Sequence, residues 1–141
     1  SNGFYQIKHM KGYHSNIENL TRENSDFRRV LYTGKHSQLV LMSLKPNEEI
    51  GSEVHDEQDQ FFRVEAGSGK AVVGEAEYTL TDGDVVIVPA GTRHNIINVS
   101  GDQPLKLYTL YSPPHHEDGT VHVTKADAEA DTEEYNGRTS E

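Results

Sequence analysis

Between Gly51 and Phe62 the chain reads GSEVHDEQDQFF, a single histidine set among acids and amides just ahead of an apolar run. Imidazole nitrogen and carboxylate oxygen are the donors from which thiolate-free sites for Zn(II), Mn(II), Fe(II) or Ni(II) are built. The residues alone leave two pairings open, His55 with Glu57 or Glu53 with His55. A second histidine of interest, His94, opens the run HNIIN after Pro89-Ala90-Gly91 and two further residues. Proline and glycine make that tripeptide a tight turn between the apolar strand DVVIV and a following strand. On the second strand His94, Ile96 and Asn98 share one face. A histidine at the start of a strand, after a rigid turn, is well placed to point into a barrel mouth.

The elements that must position these residues follow from the punctuation. From Phe27 to Tyr111, runs such as RRVLYTG, SQLVLMSL, FFRVEAG and LKLYTLYSPP alternate with Gly, Pro, Asn and Asp. Recurring at roughly ten-residue intervals, they predict an all-β sandwich or barrel without helical crossovers. On the strand SQLVLMSL, Gln38, Val40 and Met42 form one face and Leu39, Leu41 and Ser43 the other, and the pattern does not choose between them. Ser15-Asn16-Ile17-Glu18 has the form of a capping box and predicts a short helix from Ile17 to Asn24. After Pro113-Pro114 the chain turns polar and acidic. Thr124-Lys125-Ala126-Asp127 predicts the cap of a helix reaching about Tyr135, loosely docked because its only apolar face is alanine. The final NGRTSE is expected to be disordered. The opening SNGFYQIKHM reads as a cloning remnant with Met10 the native start, which sets His9 aside. The expected organisation is a remnant at 1–10, a helical arm at 11–26, a barrel at 27–123 and an acidic tail at 124–141.

Gly83, Pro89, Gly91, His94 and Asn98 fill every position of G-x5-P-x-G-x2-H-x3-N. This resembles the second motif of the cupin superfamily, whose fold is a double-stranded β-helix, the jelly-roll barrel. The resemblance implies an upstream partner of the form G-x5-H-x-H-x(3–4)-E-x6-G. Counted back from Gly67, the glutamate position falls on Gln60, the histidine positions on His55 and Glu53, and the leading glycine on Asn47. Asparagine tolerates a left-handed backbone better than most residues, so that departure is mild. Glu53 and His55 then share a strand face. Asp56-Glu57-Gln58-Asp59 supplies a hairpin turn with Glu57 in the loop. Beyond it Gln60, Phe62 and Val64 face one way, while Arg63 and Glu65 face the other and pair across strands. The resemblance thus implies a metal site of Glu53, His55, Gln60 and His94 in place of three histidines and a glutamate. One carboxylate charge is kept, and an amide oxygen replaces an imidazole, which lowers affinity for metals that favour nitrogen.

Composition sets the outer bounds. A chain of 141 residues fits one domain. A net charge of −10 argues against nucleic-acid binding and against anionic membranes. The absence of cysteine excludes disulfides, thiolate ligands and cysteine nucleophiles. No apolar run approaches a membrane span, no signal-peptide pattern opens the chain, and a cytoplasmic location is expected.

Other candidates carry less. His115, His116 and His122, in SPPHHEDGTVH, read as a polar exit loop; the alternative is a lid offering a histidine as acid or base. Arg63 and Arg93 are not expected to clamp a substrate, Lys35-His36 lies in a turn, and Tyr32, Tyr108 and Tyr111 read as packing residues. No phosphate-binding loop, dinucleotide fingerprint or nucleophile elbow is present. The resemblance, closest to small mannose-6-phosphate-isomerase-like cupins, implies a metal-dependent isomerase or dioxygenase with Glu53 as base. Its substrate would be a small polar, sugar-like or carboxylated metabolite. The alternative is a non-catalytic cupin module that binds a small ligand or metal. A homodimer is expected through exchange of the N-terminal segment.

Overall fold

The computed structural model describes residues 11–141, so the expected remnant at 1–10 lies outside the described residues. Apolar alternation builds nine strands among them: β1 (Arg28–Thr33), β2 (Gln38–Leu44), β3 (Asp59–Ala66), β4 (Gly69–Val73), β5 (Ala76–Leu80), β6 (Val85–Val88), β7 (His94–Asn98), β8 (Leu105–Ser112) and β9 (Val121–His122). Two short helices flank them, α1 (Ile17–Glu23) and α2 (Lys125–Ala130). The strands form a six-stranded sheet, β6-β3-β8-β2-β1-β9, and a three-stranded sheet, β5-β4-β7. Every strand pair is antiparallel. Bridges Glu49↔Ile97 and Glu53↔His94 lay the segment before β3 along β7 as a further edge of the small sheet. This is the expected all-β double-stranded β-helix, with short helices near both ends. No helix among the described residues is long and apolar enough to cross a membrane.

The inner face of β2 is the one with Gln38, Val40, Met42 and Leu44, all fully buried. Beside them in the same sheet lie Phe62, Val64, Leu105 and Leu107, and the small sheet adds Ala71, Leu80 and Ile96 to the core. Each such large apolar side chain contributes roughly 1.5–3 kcal/mol by leaving water. Toward one end the apolar rows give way to a polar row, in which Tyr111 is the cross-strand neighbour of both Gln38 and Gln60. Polar side chains inside a barrel need partners, and that row is where the site forms.

The structure corrects several local expectations. Asn16, not Ser15, caps α1, its Oδ1 accepting from Asn19 N at 3.0 Å. Residues 56–59 do not turn a hairpin. Glu53 pairs with β7 in the small sheet and Gln60 with β6 and β8 in the large one, so the segment crosses between sheets. Arg63 and Glu65 pair with each other along β3, at 3.6 Å, and not across strands. α2 has the expected Thr124–Asp127 capping box but stops at Ala130. There Asp131 and Glu133 bond back to the chain at His122 and His116, which draws the backbone out of the helix. The final residues are held down as well: Tyr135 N donates to His115 O, and Ser140 N to Thr33 O, at 3.0 and 2.8 Å.

Asn47 has φ 64°, the one positive φ outside glycine among the described residues. It sits where the upstream motif has glycine. Replacing it with glycine is expected to leave stability nearly unchanged, whereas Asn47→Val should cost about 1–2 kcal/mol in urea denaturation.

Candidate metal centre

Glu53 and His55 meet the sequence-distant His94 through two backbone devices. The first is the turn before β7, in which Thr92 N donates to Pro89 O at 3.2 Å. Gly91 takes φ 85° there, a value a side chain would make costly. The Gly91 N–H also binds the carbonyl of His55 at 2.9 Å, fixing that residue beside the turn. The second is the bridge between Glu53 and His94, which exchange both backbone hydrogen bonds at 2.9 Å. As a result Glu53, His55 and His94 offer ligand-type atoms all within 4.8 Å of one another.

Hydrogen bonds set the protonation of the cluster. A carbonyl only accepts, so the 2.9 Å contact of His94 Nδ1 with Thr92 O makes Nδ1 the protonated nitrogen. The lone pair of His94 therefore sits on Nε2, which is buried and has no partner. Burial first, and the neighbouring His55, hold the His94 pKa below the ordinary histidine range, so the ring is neutral and ready to ligate. His55 Nε2 lies 3.2 Å from Glu53 Oε2. Burial opposes ionisation of Glu53, but the His55 hydrogen bond and the nearby positive charge, that of Arg28 included, outweigh it and lower its pKa. A carboxylate with two imidazoles, one fixed in tautomer by a backbone carbonyl, is a donor set that suits a divalent transition metal.

Gln60 is 2% exposed on the inner face of β3. Its Nε2 donates to Thr109 Oγ1 at 3.0 Å, and its Oε1 is buried without a partner. An unmade hydrogen bond of this kind costs about 1–3 kcal/mol.

The segment after β8 is not a polar exit loop. His115 packs its ring 4.3 Å from that of His55 and 5.2 Å from that of Tyr111. His116 is buried, its Nδ1 2.7 Å from Glu133 Oε2 and its Nε2 3.2 Å from the Tyr111 hydroxyl. Burial opposes ionisation of Glu133, but the bonds from His116 and the Glu117 N–H hold its pKa down at about 2. The carboxylate thus accepts a hydrogen bond from His116 Nδ1–H, leaving Nε2 to accept from the Tyr111 hydroxyl. His122 is buried between Arg28 and Asp131. The lid alternative describes this geometry, and the reason is the amide of Gln38, which binds the backbone of both His115 and His116. Tyr111 accordingly belongs to the site and is not mere packing.

A cavity of about 240 Å³ adjoins the cluster, with Glu53, Arg28, Ile50, His115, His116 and Lys125 among its walls. Arg28 escapes sequence reading because Arg28 and Arg29 are adjacent, and a two-residue period admits either one inside.

The cupin domain family profile matches residues 40–111 of the chain. The chain is 50% identical over 121 residues to the uncharacterized protein YrkC of Bacillus subtilis, covering 82% of this chain and 64% of that one. It is 45% identical over 116 residues to the uncharacterized protein L612 of Acanthamoeba polyphaga mimivirus, covering 80% and 72%. The crystal structure of BH2720 from Bacillus halodurans superimposes with a TM-score of 0.83 at 45% identity, over 86% of this chain and 96% of that one. The chain thus spans about two thirds of the length of the curated relatives it matches.

Burial first, then His116 and His55, push the His115 pKa from 6.5 down to about 4. The unfolded chain takes up this proton more readily than the folded one, so stability is lost as pH falls from 6.5 toward 4. Thermal melts across that window should show His115→Gln losing less melting temperature than the wild type.

Proposed function

The chain belongs to the cupin domain family, and on that premise we propose that it is a divalent-metal-dependent cupin enzyme of isomerase or dioxygenase type. Its substrate in this reading is a small polar metabolite, sugar-like or carboxylated. The observation that carries the reading is the buried, unpartnered Nε2 of His94, set beside Glu53 and His55. These three residues would hold Zn(II), Mn(II), Fe(II) or Ni(II), and the free amide oxygen of Gln60 would serve as a fourth donor. Such an ion supplies Lewis-acid polarisation of a substrate carbonyl or, as Fe(II), activation of O2.

The chain's own residues do the rest. The Thr92 carbonyl holds the His94 lone pair toward the cluster. Glu53 lines the cavity in its ionised form, placed to accept a substrate proton as catalytic base. His115 and Tyr111 cover His55 and keep water from it. A sugar-derived substrate is what the mannose-6-phosphate-isomerase-like grouping implies. The same reading takes the protein as a cytoplasmic homodimer that binds neither nucleic acid nor membrane. Support for the last part is the net charge of −10. Support for pairing is an apolar row on the outer face of the large sheet, where exposed Ile87 neighbours Phe61.

Protein purified without chelator, or reconstituted with each metal in turn, should carry stoichiometric metal by mass spectrometry. Glu53→Ala and His94→Ala are expected to weaken metal affinity by about 100-fold or more, since even outer-shell changes cost 10–100-fold. Gln60→Leu should weaken it less, and Gln60→Glu should strengthen it by adding a charge. Metal that never binds after reconstitution sinks the reading. Metal that binds while sugar phosphates, keto acids and O2 assays stay silent turns it into a non-catalytic binding module.

A further inference from the structure

Arg28 projects from the inward face of β1 and is only 8% exposed. No carboxylate lies within ion-pair distance of it among the described residues. Its Nη1 contacts His122 Nδ1 at 3.1 Å. A guanidinium only donates, so His122 Nδ1 accepts and its Nε2–H donates to Asp131 Oδ2 at 2.9 Å. His122 is then a neutral relay, and the Asp131 charge reaches Arg28 only across a ring. Arg28 Nε is buried with no partner, and the Phe27 ring lies 5.3 Å from the guanidinium carbon.

The nearby carboxylates are committed elsewhere. Glu53 bonds His55, while Glu133 bonds His116 and the Glu117 N–H. Lys125 adds a second cation to the cavity wall, and Glu129 a further acid. Glu53 and Glu133 feel the Arg28 charge only at a distance; a buried charge with no carboxylate in contact is costly, and the cost is recovered when an anion joins it directly. Arg28 and Glu53 line the same cavity. At about 240 Å³ this space is smaller than the roughly 300–1,000 Å³ of pockets for drug-sized ligands. The planar guanidinium suits a carboxylate or a phosphate alike, and the small size favours a few-carbon acid over a phosphorylated sugar.

We propose that Arg28 anchors an anion subsite, and that the cavity takes a small carboxylic acid whose carboxylate binds Arg28 while its other end faces Glu53. The identity of the far end rests on the metal-centre reading, but the anchor does not.

Calorimetric titration with lactate, pyruvate and malonate, run on metal-free and Mn(II)-loaded protein, tests it. At least one of these acids should bind, and for lactate the neutral isostere lactamide should bind far more weakly. Loss of a hydrogen bond to a charged group predicts that Arg28→Gln weakens acid binding by about tenfold or more. Arg28→Lys, which keeps the charge without the planar fork, should fall between the two. Metal content should be unchanged in both variants, and a thermal melt establishes that they are folded; if Arg28→Gln does not fold, Arg28→Lys alone decides. The proposal is overturned if no acid binds, if lactamide matches lactate, or if the folded variants bind as the wild type does. Arg28-dependent binding of inorganic phosphate in preference to every acid overturns the carboxylate assignment. Arg28-dependent acid binding in a protein that takes up no metal upholds the subsite while the metal reading fails.

Discussion

The side-chain amide of Gln38 is fully buried, and all its bonding capacity is spent across the barrel wall. Its Nε2 donates to Thr33 Oγ1 and to the carbonyl of His116, and its Oε1 accepts the N–H groups of His115 and His116. An amide inside a barrel has no water to fall back on, so an unmet group there would cost more than the bond's net contribution. The backbone that satisfies it is drawn over the open end. The ring of His115 against His55, the His116 link from Tyr111 to Glu133, and the cavity wall around α2 all follow from that placement.

A second amide in the same row is treated in the opposite way. Gln60 satisfies its nitrogen on Thr109 and leaves its oxygen free. His94 does the same, spending Nδ1 on a carbonyl and leaving Nε2 bare. Both spare atoms are acceptors, and buried acceptors are completed by a cation. The spare atom on Arg28 is a donor, which an anion completes. The unmet groups at this end of the barrel therefore carry opposite signs at separate residues.

What could be read in advance was what local spacing encodes. The run from Gly83 to Asn98 specified a strand, a tight turn and an inward histidine. The upstream register placed Glu53 and His55 within reach of it, and put Asn47 at a position the structure gives a left-handed backbone. Asn98 also had a reason to be specified, since its buried amide donates to Leu44, Lys45 and Gln103 carbonyls. What stayed hidden depends on contacts between distant segments. Gln38 meets His116 across 78 positions, and nothing near either residue announces it. Adjacent arginines at 28 and 29 satisfy a strand pattern in either register. The crossing at 56–59 looks like a turn because polar residues serve both purposes. The tail looked loosely docked or frayed because its helix has only alanines on its apolar face, and it docks through carboxylates instead.

The cavity has two walls with different histories in the chain. Arg28, Ile50 and Glu53 belong to the barrel, whereas His115, His116, Lys125, Glu129 and Glu133 come from the segment after the last long strand. Glu53, His55 and His94, which carry the donor atoms of the metal cluster, all belong to the barrel as well. Substitutions in the second group reshape what fits the cavity without moving a ligand-type atom. One barrel with a fixed reactive floor can thus be matched to different small molecules by rewriting its roof, a division that separates the evolution of selectivity from that of chemistry.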